Sequence, residues 1–123
     1  MTLEVNEMFD AIKYVEDALY VFGGKWKLKI LISMYAGSKR FRDFKTNIPE
    51  ITNRVLSKEL KDLEANKLIQ RNIINLSPIC IEYSLTEYTY SLEPVITSIV
   101  NWGINHRKKI MNLDNNLDNF EAH

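Results

Sequence analysis

Apolar side chains recur every three or four residues near the start of the chain, which is the spacing of an amphipathic helix. The series follows Asn6, a residue type that caps helix N-termini, and stops before Gly23, a residue type that ends helices. The pattern therefore predicts a helix over residues 7–22. Its apolar stripe comprises Phe9, Ile12, Val15, Leu19 and Phe22.

A second helical series lies near the other end and predicts a helix over residues 92–111. Pro94 falls inside the pattern, so we expect a short turn before it and the long helix to start near Leu92 or Glu93. The apolar stripe comprises Leu92, Val95, Ile96, Ile99, Trp102 and Ile110. Residues 112–123 are rich in Asn and Asp and poor in apolar side chains, so we expect a frayed tail there.

The segment KWKLKILISMYAG is ambiguous between strand and helix. Its first residues alternate lysine with apolar side chains, as a strand does, whereas Trp26, Ile30 and Met34 share a helical face. Eleven residues before Gly37 suit a helix better than a strand, so we expect a helix.

Residues 39–66 contain two helical patterns separated by the turn IPEI. Ser38 is a candidate cap for a short helix over 41–48, which Pro49 ends. Thr52 is a candidate cap for a helix over 52–66, and Asn66 is a candidate left-handed residue at its end.

Residues 68–85 contain two β-branched, apolar runs, LIQRNII and ICIEYSL, around the turn cluster NLSP, and they predict a β-hairpin. The order of elements is that of a winged helix-turn-helix: a mainly helical α+β fold in one domain over 1–123, with the hairpin as the wing.

The neutral net charge conceals an uneven distribution. Residues 1–22 carry five acidic side chains and one lysine, whereas residues 23–71 carry twelve Lys and Arg against five Asp and Glu. A basic middle segment is typical of a surface that binds nucleic acid phosphates, but a solvated lysine-rich surface explains the charge equally well. Charge alone does not separate these two interpretations.

In a winged helix-turn-helix, the second helix of the unit enters the major groove with its N-terminal residues at the base edges. The polar side of helix 52–66 is then the expected reading face. It comprises Thr52, Asn53, Arg54, Ser57, Lys58 and Lys61. Arginine can bind guanine and asparagine can bind adenine through two hydrogen bonds, while lysine suits phosphates. We expect a second group of phosphate contacts at the start of the short helix, from Lys39, Arg40 and Arg42, where backbone N–H groups also favour an anion.

Five motifs in this order and spacing resemble those of the HxlR-type transcription regulators, which are MarR-like winged-helix proteins. They are GGKW at 23–26, KRFRDF at 39–44, IPEITNRVLSKELKDLE at 48–64, LIQR at 68–71 and IEYSLTE at 81–87. The resemblance extends over about residues 15–103. It implies a bacterial homodimer that binds double-stranded operator DNA and that dimerises through its N- and C-terminal helices. On this chain, the implied interface residues are Phe9, Ile12, Val95, Ile99 and Trp102.

The chain departs from the family pattern in ways that concern function. Many members have a redox-sensing cysteine just before the motif that reads VEDAL here, but Lys13 and Tyr14 occupy those positions. The wing usually carries two prolines and a cation, where this chain has Pro78, Ile79 and Cys80, so the cation of the usual basic wing contact is missing here. Cys80, the one cysteine, is a candidate redox site, although its apolar neighbours favour an inert strand residue.

Other functions have weaker support. An enzyme is disfavoured because His106 and His123 lack partners at metal-ligand spacing and no phosphate-binding loop or nucleophile motif occurs. We expect no cofactor, no metal and no membrane association, and a cytoplasmic protein. The main alternative is a winged-helix protein-interaction module without sequence-specific DNA binding. A small-molecule effector is a further hypothesis, with a cavity lined by Phe22, Trp26, Tyr35 and Trp102, although such aromatic residues more often belong to a core.

Overall fold

Five α-helices, one 3-10 helix and a two-stranded hairpin form the fold in the computed structural model, which describes the backbone of residues 2–121 and the side chains of residues 2–113. The elements are α1 (Val5–Phe22), α2 (Lys27–Tyr35), α3 (Phe41–Asn47), α4 (Asn53–Ala65), β1 (Ile69–Leu76), β2 (Ile79–Leu85), a 3-10 helix (Glu87–Leu92) and α5 (Glu93–Glu121). They form two units, the first ending at Thr89 and the second starting at Tyr90. The mainly helical α+β class and the winged-helix order are confirmed.

The core of the first unit lies between α2, α3, α4 and the base of the hairpin. Its fully buried apolar side chains include Ile30, Leu31, Phe44, Ile51, Leu56, Leu60, Leu63, Leu68 and Ile69. The Phe44 ring meets the Tyr83 ring edge-on, with centroids 6.2 Å apart, which packs β2 against α3. Segment 27–35 is helical, as its length predicted.

Polar contacts fix the two ends of the turn between α3 and α4. The Thr52 hydroxyl accepts a hydrogen bond from the backbone N–H of Val55 at 3.2 Å, so Thr52 is the N-cap of α4, as predicted. The Lys45 ammonium, on α3, donates to the carbonyl of Ile51 just before that cap. These contacts satisfy backbone groups that the turn would otherwise leave unpaired.

Three predicted helix caps are wrong. Asn6 lies inside α1, which begins at Val5 after Glu4. Ser38 does not cap α3, because its hydroxyl is buried 2.6 Å from that of Ser33 and Arg40 precedes the helix. At the end of α4, Asn66 has φ −88°, and Lys67 adopts the left-handed conformation instead, with φ 67°.

The hairpin is antiparallel, and its register places Arg71 opposite Tyr83 and Leu76 opposite Ile79. A bulge interrupts the ladder at Ile74. The backbone N–H of Tyr83 donates to the carbonyl of Lys39 at 2.7 Å. This bond attaches the hairpin to the segment that enters α3.

The second unit consists mainly of α5, which starts at Glu93 as predicted and extends further than predicted. Residues 112–123 were expected to fray, yet the backbone is helical as far as Glu121. Composition underestimates this end because extending an existing helix adds one hydrogen bond per residue fixed, without the cost of a new nucleus. Among the described residues, no helix is long and apolar enough to cross a membrane.

Candidate nucleic-acid interface

Helix α4 has one buried side and one exposed side. Leu56, Leu60 and Leu63 are buried, with exposed fractions of 2% or less. All six predicted members of the reading face are exposed: Thr52, Asn53, Arg54, Ser57, Lys58 and Lys61. The structure thus brings the predicted side chains together on a single helix face.

Lys58 differs from the other cations of the reading face because it is already paired. Its ammonium lies 3.0 Å from Oδ2 of Asp62, one turn further along α4, and 3.9 Å from Oε1 of Glu59. The hydrogen bond to Asp62 raises the pKa of Lys58. The same bond holds the pKa of Asp62 below its ordinary value, with the Lys27 ammonium as a smaller contributor. Among the described side chains, Arg54 and Lys61 have no such carboxylate partner.

A second ion pair joins α4 to α2. Nζ of Lys27 lies 2.6 Å from Oε2 of Glu59, and both side chains are only 12% exposed. The same ammonium lies 3.6 Å from Oδ2 of Asp62. The local sequence pattern does not mark Lys27, Glu59 or Asp62 as members of the site. The spacing of Lys58 and Asp62, four residues apart, was the one signal available.

The cationic segment before α3 is arranged by Asp43. Oδ2 of Asp43 accepts hydrogen bonds from the backbone N–H groups of Arg40 at 2.9 Å and Lys39 at 3.0 Å. These two bonds, that from Arg40 first, lower the pKa of Asp43. We expected these backbone N–H groups to favour an anion, and the Asp43 carboxylate of the same chain is that anion. Lys39 and Arg42 are exposed and Arg40 is partly exposed.

The wing carries little positive charge. Arg71 is the only Lys or Arg between residues 69 and 85. The outer part of the hairpin is instead apolar and exposed, at Ile73, Ile74, Leu76 and Ile79. Glu82 of β2 lies 3.7 Å from Nε of Arg40, so the wing also places an acid beside one of the predicted phosphate contacts. The folded hairpin therefore presents little basic surface, as its sequence indicated.

The candidate dimerisation residues have exposed apolar surfaces. On α1, Phe9 is 69% exposed and Ile12 is 53% exposed, although both belong to an apolar stripe. In the second unit, Val95, Ile99 and Trp102 of α5 are also exposed. Trp102 stacks on His106, with ring centroids 4.9 Å apart.

The remaining candidate groups are dispersed. Cys80 is half-buried on β2, opposite Asn75. Phe22 is buried, while Trp26 lies beneath the ammonium groups of Lys25 and Lys29 at 4.7 and 5.0 Å. Within the part of the chain that the structure describes, no cluster of His, Cys, Asp and Glu has the arrangement of a metal site.

Comparison with known proteins relates this geometry to a family. A sequence model of the HxlR-like helix-turn-helix family matches residues 21–111, which span α2, the helix-turn-helix unit and the hairpin. The chain is 40% identical over 100 residues to YdeP, an uncharacterized HTH-type transcriptional regulator of Bacillus subtilis (strain 168), with 81% of this chain and 78% of YdeP covered.

Two solved structures extend the likeness to the fold. The redox regulator HypR in its reduced form has a TM-score of 0.74 and 39% identity, with 80% of this chain and 97% of that chain covered. A transcriptional regulator of the MarR family from Enterococcus faecalis V583 has a TM-score of 0.67 and 29% identity, with 91% of this chain and 96% of that chain covered.

Proposed function

The chain belongs to the HxlR-like helix-turn-helix family of transcriptional regulators, and from this we propose that it is a homodimer that binds operator DNA sequence-specifically through α4. One observation carries the proposal: the buried leucines of α4 leave its polar side chains on one exposed face. Arg54 and Asn53, in the first turn, are the side chains that we expect to contact base edges.

The surface of α1 supports the dimerisation part of this proposal. Four of the five residues of its apolar stripe stay exposed in one copy of the chain, namely Phe9, Ile12, Val15 and Leu19, and such a surface is expected to be buried against a partner. Two α4 helices related by a two-fold axis would contact half-sites about one helical turn, roughly 34 Å, apart. The expected operator is therefore a pseudo-palindrome.

The test is selection of duplexes from a random-sequence pool at near-physiological salt, followed by titration of the selected duplex against excess non-specific competitor. We expect Arg54→Ala to weaken binding by about 1–3 kcal/mol and to relax preference at one position in each half-site. The control is Lys13→Ala, which removes one positive charge from α1 and should leave the selected sequence unchanged.

The outcomes separate this function from its alternative. If the folded wild-type dimer enriches no sequence, the winged helix acts instead as a protein-interaction module. If a sequence is enriched but Arg54→Ala alters neither affinity nor preference, Arg54 does not contact a base and the assignment of the reading face is wrong.

A further inference from the structure

Two charged side chains connect the start of α2 to the flank of the reading face. Lys27 contributes an ammonium from α2, and Glu59 contributes a carboxylate from α4, with 2.6 Å between Nζ and Oε2. We name this ion pair the brace. It links α4 to α2 on the side of α4 that lies between its buried leucines and its exposed face.

The brace is shielded from solvent, and Glu59 depends on it. Both side chains are 12% exposed, and Oε2 of Glu59 accepts no well-formed hydrogen bond from the described part of the chain. The Lys27 ammonium is therefore the nearest group that balances this shielded charge, with the Lys58 ammonium further away at 3.9 Å from Oε1. Removal of one member alone would leave the other with only a longer contact, Lys27 with Asp62 at 3.6 Å or Glu59 with Lys58 at 3.9 Å, and loss of the short partner of a shielded charge is destabilising.

We propose that Lys27 and Glu59 are positioning residues, which fix the rotation of α4 about its axis and thereby determine which bases Arg54 and Asn53 reach. The proposal rests on the function proposed above. Apolar contacts of the buried leucines hold α4 against the core, but such contacts are non-directional. A short ion pair between two helices adds a defined direction, which is the role best supported for shielded charged pairs.

A small rotation is sufficient to matter. On a helix whose side chains extend about 6 Å from the axis, a rotation of roughly 15° moves a side-chain tip by about 1.5 Å. That displacement exceeds the distance range within which a hydrogen bond to a base edge forms. Loss of the brace should therefore reduce discrimination between sequences more than it reduces attraction to phosphates.

The decisive variant is the double substitution Lys27→Met/Glu59→Met. It leaves the net charge unchanged, keeps good helix-forming side chains and replaces the pair by apolar groups, an exchange that often maintains or increases stability. We expect an unchanged or higher midpoint of thermal unfolding and unchanged affinity for non-specific duplex. The ratio of specific to non-specific affinity should fall roughly tenfold.

A matched control removes a charge from the same helix without touching the brace. Glu64→Gln alters the charge of α4 by the same amount as Glu59→Gln, yet Glu64 does not contact α2 through any of the described ion pairs. Glu64→Gln should retain the wild-type specificity ratio, and Glu59→Gln should not. If the methionine pair does not fold, Lys27→Gln/Glu59→Gln, which places two neutral amides at the brace, replaces it in the same assay.

Each outcome has a defined meaning. A folded double variant with the wild-type specificity ratio would overturn the positioning role while leaving the proposed function intact. Wild-type protein that shows no preference for any duplex would overturn both, because α4 would then have no sequence to read. A lower ratio with matched stability and matched non-specific affinity is the result that a merely structural ion pair would not produce.

Discussion

The cationic side chains of α4 differ in how available they are to bind a DNA phosphate. Lys61 and Lys58 are both exposed cations on the reading face, but only Lys58 donates to a carboxylate, that of Asp62. A cation that releases counterions from DNA contributes about −0.9 to the slope of log K against log salt. We therefore expect Lys61→Ala to reduce that slope by about 0.9 and Lys58→Ala to reduce it by less, measured by titration of the selected duplex at four or more salt concentrations.

The control for this difference is the Asp62→Asn background. Once the Asp62 carboxylate is gone, the Lys58 ammonium keeps only its 3.9 Å contact with Glu59, and Lys58→Ala should reduce the slope by about 0.9 there as well. Equal slope changes for Lys58→Ala and Lys61→Ala in the wild-type background would show that DNA displaces Asp62, contrary to this prediction.

At the residue scale, sequence predicted which side chains would be exposed better than what they would contact. The three-to-four-residue spacing of leucines determines which face of α4 is buried, and hence the position of Arg54. The partner of Glu59 comes from α2, more than thirty residues earlier, and no local pattern encodes that contact. The cap at Ser38 failed for a related reason, since its hydroxyl is used by Ser33 and Asn47 in the folded unit.

At the scale of elements, the entry into α3 depends on one ionised carboxylate. Asp43 accepts two backbone hydrogen bonds, and these hold its pKa below the ordinary value of 3.8. A group whose pKa is lower in the folded state contributes stability above its unfolded pKa and loses it as the pH falls through its folded pKa. Asp43→Asn should therefore lower the unfolding midpoint at pH 7, and its difference from wild type should shrink as the pH falls below about 4.

Thermal unfolding between pH 7 and pH 2.5 checks this prediction. Asp17→Asn, which removes the same charge from α1, serves as the control for a general change in net charge. A difference between wild type and Asp43→Asn that stayed constant over the whole range would mean that the ionisation of Asp43 does not stabilise the turn.

Sequence located every helix and strand but misjudged where α5 ends. Segment 27–35 shows both the alternation of a strand and the spacing of a helix. Its length correctly favoured the helix, because a nine-residue helix fits between Gly24 and Gly37. For α5, polar composition suggested an end near residue 111, although a helix that has already formed extends at little cost. Composition is thus a weaker guide to where a helix stops than to whether it starts.

At the scale of the whole molecule, the exposed stripe of α1 bears on assembly. Phe9 and Ile12 lie on this stripe, where an introduced charge would be desolvated in a dimer but solvated in a monomer. We expect Ile12→Glu to weaken dimerisation by about 2 kcal/mol or more, which is roughly thirtyfold in the dimer dissociation constant. Sedimentation velocity over a range of concentrations measures this change directly.

The same variant links assembly to DNA binding. A dimer contacts two half-sites at once, so the second contact is intramolecular and adds affinity without any new interaction. Ile12→Glu should therefore lose most of its affinity for a two-half-site duplex, while its affinity for a single half-site stays at the wild-type value. Tyr14→Glu, which places the same charge on α1 at an exposed residue away from the stripe, is the matched control and should remain dimeric. If Ile12→Glu also remained dimeric and bound the full operator normally, α1 would not form the interface, and the exposed stripe of α5 would be the next surface to substitute.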